Sequence, residues 1–362
     1  MKVFTSPKDY LIPITKDLGG KFQNDFYLRL IAIENDFKEN IVLNSISFIL
    51  VNNKGEVLKE IGYKGNTLEK RAKDSIEELN IYRENIIYEC LGLEKFWSND
   101  SLSANLTIPP NKQFVIMAEY FNLITYDEIE KVEIVINYNI NNENINHIHS
   151  LSLKAYEVKN SYVFPVKGTW IATDIYSSID SHRWCYNSEF AFDLGQLNED
   201  FMLISKEGME NEEYVHYGKE IVAIGDGTVI EAYNDFPEYS LGYKNKLERS
   251  HYDNLEKIHG PVPRSAGNYV IIEHANSEYS FYCHMILNSV QVKKGQKVKA
   301  GEVLGKLGNS GNSNCPHLHF HLMDGSNKLT ARGLPCNFTN IKDIANEEIN
   351  SIDEDSMIIK TF

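Results

Sequence analysis

Residues 303–323 read VLGKLGNSGNSNCPHLHFHLM. Within it GNSGNSNCP, residues 308–316, is a tight Gly/Asn/Ser/Pro turn. Three histidines follow, His317, His319 and His321, with Leu318, Phe320 and Leu322 between and after them. Successive side chains of a strand point to opposite faces, so the three imidazoles would share one face and the apolar residues the other. A buried ring needs a partner, and a metal ion is one that imidazole takes readily. The alternative reading of the pattern is a polar strand face in solvent.

Working outward, residues 268–307 parse as a strand over Tyr269–His274, a turn over Ala275–Glu278 and a strand over Tyr279–His284. A loop and the run Val298–Leu307 follow, punctuated by Gly295, Gly301 and Gly305. A matching piece lies upstream at 219–232, KEIVAIGDGTVIEA, turning at Gly225-Asp226-Gly227. Short, Gly-punctuated antiparallel strands of this kind bring distant histidines into one groove.

These pieces occur in a recognisable order: KEIVAIGDGTVIEA, GNYVIIEH, FYCH, VKKGQKVKAGEVLGKLGNSGNS and PHLHF. Over roughly residues 165–323 the chain closely resembles the lysostaphin/LytM-type zinc metallopeptidases. The resemblance implies a compact antiparallel β-sheet peptidase domain holding one Zn²⁺ per chain. It makes His319 a zinc ligand, His317 a catalytic residue and His284 the other catalytic histidine. The remaining ligands are expected as a His and an Asp, usually four positions apart. Here the best match is His182 with Asp193, eleven positions apart, so WCYNSE would bulge between them. His216, beside Tyr214 and Tyr217, competes with His182. Asp193 stands alone in the apolar run FAFDLG, where a carboxylate needs a buried partner. His321 departs from the family, which usually carries Glu or Gln there, and is expected near the site without being a ligand. His251, His259 and His274 are expected to be structural or on the surface.

The N-terminal half has a different texture. Phe26, Leu28, Leu30 and Ala32 alternate with Tyr27, Arg29, Ile31 and Ile33, and a second run, Ile41–Val51, ends in the turn Asn52-Asn53-Lys54-Gly55. Residues 67–79 (TLEKRAKDSIEEL) fit an amphipathic helix, with Leu68, Ala72, Ile76 and Leu79 on one side. Strand patterns return at 113–121, 132–140 and 147–158. The expected fold is therefore mostly β: an Ig-like N-terminal β-sandwich with a helical insert over 1–160. The peptidase domain would occupy 161–340, and 341–362 would be an acidic tail, either solvated or a short docking helix. His147 and His149 form an HxH pair on one strand face. No third ligand is evident near them, which favours plain strand histidines. The inserted stretch 233–266 either walls the groove or is a surface excursion.

Composition limits the function classes. The chain has 362 residues, with 36 Lys+Arg against 51 Asp+Glu and a net charge of −15. Such an acidic chain makes a poor binder of nucleic acid or anionic membrane. Its five cysteines, Cys90, Cys185, Cys283, Cys315 and Cys336, form no CxxC pair and suggest neither a disulfide scaffold nor a zinc finger. No apolar run is long enough to span a membrane. The N-terminus lacks the apolar core of a secretory signal, so residence in the cytoplasm stands against the cell wall that the resemblance implies. The expected activity is zinc-dependent hydrolysis of peptide bonds in peptidoglycan stem peptides or cross-bridges. Two alternatives are an inactive peptidase-fold binding or regulatory module and a zinc peptidase with an intracellular, non-wall substrate.

Overall fold

Long runs rich in β-branched and aromatic residues form long strands in the first 153 residues. In the computed structural model of the chain, the described residues are 1–81, 91–93, 98–175, 182–205, 210–240, 249–353 and 355–362. They divide into two compact units. One comprises Met1–Tyr156 with Trp184–Tyr186, the other Glu157–Arg183 with Asn187–Phe362. Cys90 lies outside the described residues.

The first unit is built on β1 (Lys2–Ser6), β2 (Phe22–Glu34), β3 (Ile41–Val51), β4 (Val57–Lys64), α1 (Asn66–Ile81), β5 (Gln113–Thr125), β6 (Lys131–Ile140) and β7 (Glu143–Leu153). One sheet runs β1-β2-β5 and the other β7-β6-β3-β4, with short strands at their margins. One apolar cluster draws on both sheets, including Phe26, Leu28, Phe48, Phe121, Ile134 and Ile136. Alternation along β2 does not run straight through. Phe26 and Leu28 share that cluster with Ile31 and Ile33, whereas Leu30 and Ala32 pack with Leu79 of α1. Arg29 and Ala118 are missing from the β2–β5 ladder, and Ala118 takes a left-handed backbone (φ +59°). An irregularity of this sort re-aims the side chains beyond it. Helix α1 uses the same shift: Leu68 and Ala72 enter the larger cluster, Ile76 and Leu79 the smaller one.

The expected strand at 147–158 begins earlier and ends at Leu153, because its partner β6 begins at Lys131, opposite Ser152. His147 and His149 face Ile136 and Ile134 across that ladder, and burial lowers both of their pKa values. His149 Nε2 lies 3.5 Å from Thr5 Oγ1.

The second unit is an antiparallel sheet. Its main strands are β8 (Thr169–Thr173), β9 (Phe192–Gln196), β10 (Gly227–Tyr233), β11 (Asn268–Glu273), β12 (Tyr279–Met285), β13 (Leu318–Met323) and β14 (Ile358–Thr361). Across the sheet their order is β10-β11-β12-β13-β9-β8-β14. The apolar alternates of the PHLHFHL stretch pack on one side. There Phe320 stacks parallel to Phe192 and lies 5.3 Å from the Tyr282 ring. Full burial of one such phenylalanine is worth roughly 2–3 kcal/mol. The opposite face of β13 carries His319 and His321.

Helices α2 (Arg249–His259) and α3 (Pro261–Ala266) come from the long insert. Leu255 of α2 packs with Phe236 and Tyr239, and Val262 and Ala266 pack with Tyr269, Phe281 and Cys283. The insert is thus part of the unit's core and no mere excursion. His259 Nδ1 is 2.8 Å from Tyr233 Oη. His274 is buried between Asp226 O and Ser280 Oγ.

The last residues differ from expectation. Rather than a solvated end or a docking helix, 341–342, 348–349 and β14 are strands of the same sheet. β14 pairs with β8, Ile358 opposite Ile171 and Lys360 opposite Thr169. The acidic stretch NEEINSIDEDS drew the reading toward solvent, but Ile352 and Ile359 are fully buried and their burial holds the segment down.

Candidate metal centre

Strand pairing sets the first two site residues opposite each other. Asp193 of β9 faces His319 of β13, flanked by the pairs Phe192–Phe320 and Leu194–Leu318. Directly opposed side chains on one face have Cβ atoms about 5 Å apart, and here His319 Nδ1 lies 3.1 Å from Asp193 Oδ1. His182 arrives from a 3-10 turn, His182–Trp184, and puts Nε2 3.0 Å from the same Oδ1. Its ring meets the His319 ring edge-on at 4.5 Å. Of the residues between His182 and Asp193, Trp184–Tyr186 group with the N-terminal unit.

These three residues can each offer one ligand atom within 4.8 Å of the others, the one such group among the described residues. His182 Nε2 is buried, and the carboxylate oxygen of Asp193 at 3.0 Å is poorly aligned with it for a hydrogen bond. Donors around a tetrahedral zinc, with bonds of 2.0–2.1 Å, stand about 3.3 Å apart. The 3.0 and 3.1 Å separations here come within a few tenths of that. Two imidazoles and a carboxylate suit zinc, so the residues present fit the ion that the sequence implies.

His317 sits one residue before β13 starts, so it is held by the preceding turn and not by the strand. Its Nδ1–H donates to Cys315 O at 2.9 Å, and its Nε2 lies 3.6 Å from Asp193 Oδ2. His284, in β12, donates Nδ1–H to Ser310 O at 2.7 Å. The two rings are 4.6 Å apart. Each Nδ1 is committed to a backbone carbonyl, so in each neutral ring Nε2 is left as a free acceptor. His284 also has a left-handed backbone (φ +62°), which costs a non-glycine residue about 1–2 kcal/mol. The bonds from Gly308 N to His284 O (3.0 Å) and from Nδ1 to Ser310 O hold it there.

Charge is unevenly shared. Burial pushes the Asp193 carboxyl up, but the His317 charge and the contacts from His182 and His319 hold it well below the ordinary carboxylate range. His317 is pushed up to about 9, the Asp193 charge outweighing burial. Burial pulls His319 down to about 4, helped by His182. Burial with His317 and His319 alongside holds His284 well below its usual value. At neutral pH the metal-free centre therefore contains a carboxylate and a neutral His319, forms that bind a cation, with a protonated His317 beside them.

His216 does not join the His182, Asp193 and His319 group. It is buried, and its Nε2–H donates to Pro316 O at 2.6 Å, which fixes the peptide just before His317. The alternation of histidines carried no sign of the supports found here. These are the carbonyls of Cys315 and Ser310, His216 behind the loop, and Ser310 Oγ, which donates to Met285 O and accepts from Asn268 N. The signal available was the polar turn GNSGNSNCP itself, whose backbone must be satisfied somewhere.

Residues 212–331 match the model described as Peptidase family M23. The chain carries a peptidase family M23 domain. The match covers His284, His317 and His319 and begins after His182 and Asp193, so those two join the centre by geometry. Peptidoglycan DD-endopeptidase ShyA of Vibrio cholerae is 44% identical over 72 residues, 20% of this chain and 15% of that protein. Cell division protein DipM of Caulobacter vibrioides is 34% identical over 118 residues, 28% of this chain and 19% of that protein. Glycyl-glycine endopeptidase ALE-1 of Staphylococcus capitis is 29% identical over 114 residues, 31% of this chain and 24% of that protein. The chain thus spans a quarter or less of the length of these curated relatives. The catalytic domain of lysostaphin from Staphylococcus simulans aligns with a TM-score of 0.21 at 25% identity, over 34% of this chain and 78% of that one. The M23 domain lies wholly in the second unit, which is also where the described His/Asp/His group is found.

Proposed function

We propose that the protein is a zinc-dependent endopeptidase that hydrolyses peptide bonds of peptidoglycan, with His182, Asp193 and His319 as ligands. The observation that carries this reading is the convergence of those three side chains beside His317 and His284 in a chain with an M23 domain. A complete donor set also favours an enzyme over an inactive binding module. The substrate class rests on what the relatives' names say they cut. On this reading the protein acts at the cell wall.

Zinc held there would polarise a peptide carbonyl and bring the pKa of bound water toward about 7. The rest of the chemistry belongs to the chain. We assign the general base to His317, whose Nε2 stands beside Asp193 and so beside the metal position; the charge of a bound zinc would offset the Asp193 charge that raises its pKa, and so leave the ring neutral to act as a base. Its Nδ1–H bond to Cys315 fixes the ring so that Nε2 takes the proton of the attacking water. The same Nε2–H can then be handed to the leaving amine. His284 presents Nε2 to the same space. Because its Nδ1–H is already given to Ser310, it can stabilise an oxyanion only in its protonated form.

For the first unit we infer an Ig-like sandwich. What supports this is the β1-β2-β5 and β7-β6-β3-β4 orders, which resemble an A-B-E sheet and a G-F-C-C′ sheet, with α1 between C′ and E in chain order.

The test is metal content together with solubilisation of purified peptidoglycan. One zinc per chain, with wall release that stops in His319→Ala, is the expected result. A protein that purifies zinc-free, takes up no added zinc and leaves the wall intact would refute the proposal.

A further inference from the structure

His319 and His321 stand on one face of β13, and His319 Nε2 is 2.9 Å from His321 Nδ1. The other nitrogen of His319, Nδ1, faces Asp193. If Nδ1 is to present its lone pair to a metal, the ring's proton must sit on Nε2, and that proton needs an acceptor. His321 Nδ1 is the acceptor in place. Accepting there places His321's own proton on Nε2. That atom is buried without a hydrogen-bond partner, in a side chain 2% exposed with its ring against Phe281. An unsatisfied buried donor is costly, and its retention here calls for a compensating role.

We propose that His321 is a positioning residue: its Nδ1 accepts the His319 Nε2–H and so sets the tautomer and ring orientation in which His319 Nδ1 binds the metal. The idea rests on the metal reading above and adds to it a neutral imidazole, in place of a carboxylate or a backbone carbonyl, as the outer partner of a ligand. Outer partners of metal-bound histidines commonly change metal affinity by about 10–100-fold when removed. The tautomer demand is local to β13, since no other described hydrogen bond reaches His319 Nε2.

The experiment measures zinc dissociation constants of the full chain by chelator competition, with the visible absorption of the Co²⁺-substituted protein as a second readout. His321→Leu removes the acceptor and should weaken zinc binding by about 10–100-fold and alter the Co²⁺ spectrum, while the metal-free protein keeps its circular dichroism. His321→Asn puts a carbonyl oxygen near the Nδ1 position and should recover most of the affinity. Equal affinity in His321→Leu and the native chain would overturn the proposal, as would an Asn variant no tighter than the Leu variant. Should the Leu variant not fold, His321→Gln serves in its place. Its amide reaches toward the Nε2 position and leaves the Nδ1 position empty, so it must bind zinc more weakly than His321→Asn. His319→Ala separates the two levels of the argument. Loss of zinc in His319→Ala with none in His321→Leu refutes only the positioning role, whereas zinc retained by His319→Ala refutes the metal site itself.

Discussion

Replacing Gly311 by alanine tests how the turn before the histidines controls the chemistry. Gly311 has φ +76°, where an L side chain is strained by about 1–2 kcal/mol. A Cβ there would lie 2.2 Å from Gly267 N and 2.7 Å from both Gly267 Cα and Ser265 O. Gly267 is equally tight from the other side, with its own missing Cβ 2.2 Å from Ser310 Oγ. Two backbones therefore meet with no room for a methyl group. To restore ordinary contact the segments must part by about 1 Å, since non-bonded carbon contacts settle near 3.5 Å. The adjacent residue is Ser310, whose carbonyl orients His284 at 2.7 Å. A shift of that size takes the bond beyond hydrogen-bonding range. A displacement of about 1 Å in a catalytic constellation can cost on the order of 100-fold in rate. The proposed ligands sit on β9, β13 and the His182 turn and are not reached by this shift. Gly311→Ala is thus expected to keep one zinc per chain while its kcat on purified peptidoglycan falls about 100-fold. Zinc analysis, wall-release kinetics and a melting curve check this together. Native kcat in a folded, zinc-loaded Gly311→Ala protein would refute the claim that the Gly267–Gly311 contact holds His284.

Other expectations follow from the same geometry. Zinc at about 100 times its Kd should stabilise the protein by about 2.7 kcal/mol, which for a unit of roughly 200 residues raises Tm by about 5–10 °C over the chelated protein. Asp193→Asn should abolish that shift, and a persistent shift would count against Asp193 as a ligand. His317→Ala should lower kcat by about 10²–10⁴-fold with zinc content unchanged, as read from wall release and metal analysis on one sample. Burial lowers the pKa of His216 and His274 below 6.5, so below that pH the unfolded chain binds protons that the fold refuses. Stability of the metal-free protein should therefore fall as pH drops below 6.5, by up to about 1.4 kcal/mol per pH unit for each histidine. His317, with its raised pKa, stabilises the fold fully below 6.5 and so adds no pH dependence there; that stabilisation is lost as pH rises from 6.5 toward about 9. A Tm unchanged between pH 6.5 and 5 would contradict the burial of His216 and His274 as neutral rings.

Where one strand's own pattern decides its environment, the chain could be read directly. Leu318, Phe320 and Leu322 name the buried face of β13, and His319 and His321 name the other. Asp193 was legible for the same reason, as one carboxylate in an apolar strand. His182 was harder, because its place is set by a short turn eleven residues before Asp193, and a turn has no period. The β2 alternation misled at Arg29. A single irregularity swaps the faces of everything beyond it, and nothing in FYLRLIAI marks the spot. The end of the chain misled because charge density in a short segment says little when a few isoleucines decide its position. The carbonyls that orient His284 and His317 are backbone atoms, identical at every residue, and only folding selects them.

The pairing of β8 with β14 has a bearing on how the molecule is made. Thr169–Ile171 must find partners almost two hundred positions away, and loop-closure entropy has to be met before such a contact rewards the chain. During synthesis β8 therefore waits, with one edge unpaired, until Ile358–Thr361 has emerged. An unpaired edge of this kind is a template for association with other chains. A nascent chain stalled or trimmed a few residues short of β14 would be prone to clump.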